Sequence, residues 1–212
     1  MGFTGQFVKF VVAGFQSTGS QMQWGILLCM CAGFALCIER VWYLYIKCGR
    51  GGGGFMAGIG KYIKQGDYAK ALQYAKGNNT PLGKTIAAIL ENRGKGTKAI
   101  NKAVEEVLLT ETPKVQRNLA FMAVIANIAT LLGLMGTIYG LMVSFDAIAN
   151  VPAAQRAAAL ANGIAFAMST TLFGLITAVP ILLVQGLLIR KSDKIVEEID
   201  EKSTKLTNIV EE

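Results

Sequence analysis

The sequence predicts an all-α integral membrane protein with three transmembrane helices, and three observations carry that prediction. Of 212 residues, 52% are hydrophobic and only 17% charged, against roughly 25% charged in a soluble domain. Mean hydropathy is +0.43. Three apolar stretches each reach the ~20 residues that a helix needs to cross the bilayer core, and no stretch sustains the alternation of a strand. Histidine is absent, which removes the commonest general base and a common metal ligand. The reading is therefore not an enzyme, with no catalytic residue, no metal site and no cofactor.

Residues 1–22 form an N-terminal segment with Lys9 as its one basic residue. The first transmembrane helix is placed at 23–46. Its core, WGILLCMCAGFALCI, is uncharged; Glu39 and Arg40 interrupt it, and VWYLYI carries it on. It passes into these flanks instead of a small-residue cleavage site, so a secretory signal is not expected. Trp42, Tyr43 and Tyr45 suit the aromatic belt of a membrane interface. Glu39 and Arg40 are candidate interfacial or inter-subunit anchors; as sequence neighbours on a helix they are expected not to face each other. Cys29, Cys31, Cys37 and Cys48 make no CxxC pair and read as small apolar side chains.

The second transmembrane helix, 119–145, is 27 residues without a charge, or ~40 Å of helix at ~1.5 Å per residue. The third, 163–189, lies in an uncharged stretch that begins at Ala157. Both exceed the bilayer core, so they are expected to tilt or project into the cytoplasm. A link at 146–162 joins them, and a tail follows at 190–212. Residues 47–118 carry 13 Lys/Arg against 5 Asp/Glu, whereas the link has only Arg156 as a basic residue. The positive-inside rule then gives an N-out, C-in topology, with 47–118 and the tail cytoplasmic.

The 47–118 region reads as short helices packed on the projecting ends of the second and third spans. GRGGGGF (49–55) is a hinge. A helix runs from Phe55 to about Gln65 and breaks at Gly66; Asp67 caps the next, YAKALQYAK. Another restarts after Pro81. Thr97 is expected to cap a long helix with Ile100, Val104, Val107 and Leu108 on one side, bending at Pro113. GNNTPLGKT (77–85) approaches a nucleotide-binding P-loop, but five residues separate its glycines where the motif has four, and no strand precedes it. Neither a nucleotide nor a nucleic acid is an expected ligand.

Function concentrates in the second and third spans. Asn127, Thr130, Thr137 and Ser144 recur at three- or seven-residue intervals and fall on one stripe. Gly133, Gly136 and Gly140 lie near it, and the last two form a GxxxG pair that lets helices approach closely. The third span carries Ser169, Thr170 and Thr171 at its middle, small residues at Gly163, Ala167, Gly174 and Ala178, and Pro180. These hydroxyls either bond their own i−4 carbonyls and serve packing, or line an ion path. Neither span contains a titratable side chain, so a proton relay would need one from another polypeptide.

LLGLMGTIYGLMVSF (131–145) and GIAFAMSTTLFGLITAVP (163–180) together resemble the membrane segments of the ExbB/TolQ/MotA family of ion-channel (stator) subunits. GDYAKALQYAK and NNTPLGK resemble its cytoplasmic region. Three spans fit the ExbB/TolQ branch. The resemblance implies a homo-oligomer, a pentamer, in the bacterial inner membrane, around a dimer of a single-span ExbD/TolR-like partner whose membrane Asp supplies the titratable group. It implies use of ion-motive force for work on envelope, transport or motility components. By motif position Thr137 and Thr171 match the family's pore threonines, and Thr170 joins them as a candidate for the ion path. Gly133, Gly136, Gly140 and Gly174 are the candidate packing residues. Thr130 stands where many relatives have Pro, and Phe166 where ExbB and TolQ proteins commonly have Glu. Thr170 stands where many proton-using relatives have Ala, which leaves H+ and Na+ both open as the transported ion. The competing reading is a passive membrane scaffold whose Gly/Thr faces only mediate assembly.

Overall fold

A computed structural model describes residues 20–49 and 52–211, and among them every regular element is helical. Helix α1 spans Ser20–Trp42 and passes into a π-helical turn, Tyr43–Cys48. Four helices follow: α2 Gly52–Lys64, α3 Tyr68–Gly77, α4 Pro81–Glu91 and α5 Thr97–Gln116. Helix α6, Leu119–Asn150, and helix α7, Arg156–Glu211, are joined through a single 3-10 turn at Ala153–Gln155. Three helical stretches are long and apolar enough to cross a membrane. The N-terminal segment, 1–19, and the hinge residues Arg50 and Gly51 lie outside the described residues.

The chain divides into two compact units. The first holds α1 to Ile38, α6 and the first half of α7; the second holds 39–119 and 187–212. In the first unit α1 buries one stripe: Gln23, Ile26, Cys29, Gly33, Cys37. The opposite side exposes Trp24, Leu28, Phe34 and Ile38, as a lipid-facing helix would. Helices α6 and α7 also present large apolar side chains outward, among them Leu131, Ile138, Met142, Met168 and Leu183.

The second unit is built around α4, whose Leu82, Thr85, Ile86, Ile89 and Leu90 are all buried. Thr80 caps it, accepting from the Gly83 N–H at 3.1 Å, and Pro81 occupies the first turn, where a missing N–H costs nothing. The cap thus lies one residue before the proline at which the sequence pattern restarts the helix. Gly66, at φ +72°, ends the preceding segment. Asp67 caps α3 through the Lys70 N–H at 3.1 Å. Phe55, Tyr62 and Tyr74 stack where α2 meets α3, with centroids 5.5 and 5.9 Å from Tyr74.

Three features depart from the sequence pattern. Thr97 is the first helical residue of α5 and not its cap; Gly96, at φ +86°, holds the cap position without a side-chain bond. Pro113 sits within α5, which ends three residues later, and Asn118 at φ 61° separates it from α6. Helix α7 has no such break. The link and tail that hydropathy separates, 146–162 and 190–212, are helical except near 151–155, because hydropathy marks where the solvent changes and not where a helix stops. At 56 residues α7 is the longest element, ~84 Å at ~1.5 Å per residue.

Candidate functional site

Helices α6 and α7 meet through glycines. A Cβ on Gly133 would stand 3.2 Å from the Thr171 Cα, and one on Gly174 would stand 2.7 Å from the Ala129 carbonyl oxygen. Gly136 lies against the Thr170 side chain, and a Cβ on Gly140 would meet the Ala167 Cβ at 3.0 Å. The four glycines singled out by spacing therefore share one antiparallel contact, at which the two backbones approach closely enough to exchange hydrogen bonds.

The hydroxyls divide into two groups. Thr130 donates to Ala126 O (3.1 Å), Ser144 to Gly140 O (2.5 Å), Thr170 to Phe166 O (3.1 Å) and Thr177 to Phe173 O (3.0 Å), each bonding the preceding turn of its own helix. Ser169 likewise donates to Phe166 O at 2.8 Å. Thr137 and Thr171 differ. Their Oγ1 atoms are hydrogen-bonded to each other across the helix pair. Thr171 also reaches Gly133 O on the opposite helix at 3.0 Å, and Thr137 reaches the same carbonyl at 3.2 Å. Both threonines are half-buried.

Of the three threonines grouped by sequence, the structure brings two together. Thr170 is fully buried beneath Gly136. Adjacent residues on a helix point about 100° apart, so Thr170 and Thr171 cannot share a face. Asn127, from the same predicted stripe, is exposed and stands apart from the threonine pair.

Glu39 and Arg40 belong to the second unit. Contrary to their reading as side chains that do not meet, Arg40 Nη2 pairs with Glu39 Oε1 at 2.9 Å; the long guanidinium stem turns back to its neighbour. Arg40 is only 3% exposed. Its Nη1 donates to Lys114 O at 3.2 Å, and its guanidinium lies 5.2 Å from the Tyr43 ring centre. Lys114 is two residues from the end of α5, where backbone carbonyls lack helical partners, so Arg40 acts as a side-chain cap for α5.

Sequence reading missed the neighbouring charge cluster. Glu111 is buried and binds Lys114 at 2.7 Å and Lys84 at 3.0 Å. Burial pushes its carboxyl up, but the hydrogen bonds and charges of the two lysines outweigh that and hold it below the usual 4.5. The signal was available: Glu111 follows Ile100, Val104 and Val107/Leu108 on the inward side of α5. Lys84, the lysine of the P-loop-like run, is engaged here, and the Gly83 N–H is used by the Thr80 cap.

A charge-free helix pair, closed by glycines and carrying paired hydroxyls at its contact, in a chain with three membrane-length helices, defines a multi-pass helical membrane protein. Residues 77–201 match the MotA/TolQ/ExbB proton channel family, and the chain belongs to that family. Over 176 residues, 83% of the chain, it is 27% identical to a putative biopolymer transport protein ExbB homolog of Methanothermobacter thermautotrophicus. Over 81 residues, 38% of the chain, it is 35% identical to the Tol-Pal system protein TolQ of Pseudomonas aeruginosa. A putative biopolymer transport protein ExbB-like 2 of Helicobacter pylori is 32% identical over 84 residues, 40% of the chain. The matched stretches span 62%, 35% and 55% of these relatives, less than two thirds of each.

Proposed function

We propose that this chain is the repeated, channel-forming subunit of an inner-membrane motor that converts ion-motive force into mechanical work on a transport or envelope component. The observation that carries the reading is the Thr137–Thr171 hydroxyl contact at the glycine-closed junction of α6 and α7. Hydroxyls in a membrane are normally satisfied within their own helix; these two reach across it and remain half-exposed. They do not titrate, but they can accept from and donate to a passing water or hydronium. The titratable group is then a carboxylate on a partner of ExbD/TolR type, a single-span protein present as a dimer inside a pentamer of this chain. Family membership and the relatives' names support this, as do the apolar outward faces of α6 and α7, which suit lipid and sister subunits. The excess of basic residues in 47–118 supports the N-out, C-in orientation. The proton is favoured over sodium because Thr170 is buried and donates to Phe166 O, leaving only two hydroxyl oxygens on the shared face.

The test is Thr171→Val, which keeps shape and deletes the hydroxyl. In the assembled complex it is expected to abolish ion flux in vesicles while the oligomer, read by native mass spectrometry, stays intact. Flux is measured with pH and Na+ varied separately at fixed membrane potential. Normal flux in the variant would return the threonines to packing and favour the passive scaffold.

A further inference from the structure

Gln23 is fully buried, and neither its Oε1 nor its Nε2 has a hydrogen-bond partner among the described residues. It opens the buried stripe of α1, whose next three members are Ile26, Cys29 and Gly33. A carboxamide offers two donors and an acceptor, and leaving them unmade inside an apolar helix cluster is costly.

The register of the first unit places it. A Cβ on Gly25 would meet Leu132 Cδ1 at 3.2 Å, and one on Gly33 would meet Ile125 Cγ2 at 3.5 Å and Ile181 Cγ1 at 3.1 Å. Helix α1 therefore runs antiparallel to α6 and parallel to α7. Stepping two residues back from the Gly25 crossing brings Gln23 level with Leu134, between Gly133 and Thr137. Stepping ten back from the Gly33 crossing along both helices brings Gln23 level with Thr171. Gln23 thus lies in the layer of the hydroxyl pair, within about one 5.4 Å helical turn of it.

We propose that Gln23 and the Thr137–Thr171 pair together hold buried water, so that α1 contributes a ligand to the polar layer of α6 and α7. Water is the ligand that fits, since a carboxamide with both a free donor and a free acceptor matches a molecule that does both, whereas a bare cation would be repelled by the amide hydrogens. Buried waters characteristically make about three such bonds to otherwise unmatched groups. That this water serves ion passage rests on the function proposed above; that it is bound does not.

Water-edited solid-state NMR of the wild-type chain in lipid tests the binding directly. The Gln23 side-chain amide is expected to receive magnetisation from water several-fold faster than the methyls of Ile26, its buried neighbour on the same stripe; equal, slow build-up at both would overturn the proposal. Gln23→Leu is expected to slow the build-up at Thr171, and an unchanged rate there would also overturn it. Ion flux in the assembled complex tests the role, with Gln23→Leu expected to reduce it by about tenfold. Normal flux in Gln23→Leu beside a dead Thr171→Val would confine the water to structure and leave the proposed function standing. Normal flux in both would overturn the function itself.

Discussion

The two compact units of this chain are stabilised by opposite means. The first has no charge in α6 before Asp146 or in α7 from Ala157 to Gly186; its helices are joined by missing side chains, with glycines facing backbone. The second is joined by long charged side chains: Arg40 on the end of α5, Glu111 between two lysines, and Lys76 paired with Glu91 at 2.6 Å. Where lipid replaces water, hydrophobicity no longer distinguishes the inside of a helix bundle from the outside, and close backbone approach takes over as the source of specificity. Where water is present, polar groups can afford to be used as fasteners.

This contrast predicts where substitutions act. The largest effect is expected at Gly174, because an added side chain would collide with the Ala129 carbonyl, which is backbone and cannot rotate away. Gly174→Leu should cost several kcal/mol, beyond the ~1–3 kcal/mol typical of overpacking a core that can relax, and should appear as loss of the folded oligomer in detergent. A well-folded Gly174→Leu protein would show that the two helices are not held by backbone proximity.

Glu111→Gln should have a smaller effect, about 1–2 kcal/mol, since Glu111 is buried but its lysines are 42% and 54% exposed and partly compensated by water. A carboxyl whose pKa is lowered on folding stabilises the protein above its unfolded value and ceases to do so as pH falls through the folded value. The wild type should therefore lose stability as pH drops below about 4.5, and Glu111→Gln should lose less over the same range. Thermal melts from pH 6 to pH 3 measure the difference, and parallel curves would mean that the cluster contributes nothing on folding. The smallest effect is Thr80→Ala, which removes the cap of α4 and should cost ~1 kcal/mol without altering ion flux.

The sequence revealed more of the first unit than of the second. The charge-free run beginning at Leu119 coincides with the start of α6, and the spacing of Gly133, Gly136 and Gly140 anticipated a face that does meet α7. Between Thr170 and Thr171, however, sequence offers no choice, because the rotation of α7 about its axis is set by what packs under Gly136. Gln23 was overlooked for a different reason: at the edge of an apolar run a carboxamide reads as the beginning of water, and only the register of three helices shows it inside. In the second unit, Asp67 declared itself as a cap. Thr80 was hidden behind the more conspicuous proline, and Gly96 displaced Thr97 because a positive φ suits glycine at that position. The length of α7 was partly legible, since Ile195, Ile199 and Leu206 recur at helical intervals and are all buried.

The carbonyl of Gly133 has one more consequence. It receives the hydroxyls of Thr137 and Thr171 and, within α6, stands opposite the Thr137 N–H as well, more donors than its two lone pairs take. Because the two hydroxyl oxygens also bond each other, one proton must lie between them and only the other can point to the carbonyl. Two orders satisfy this: Thr137 to Thr171 to Gly133, or Thr171 to Thr137 to Gly133. They use the same heavy-atom positions and differ in the direction of the small dipole that they form. Exchanging one for the other requires only rotation of two O–H bonds, so this contact can reverse its polarity while the helices stay still.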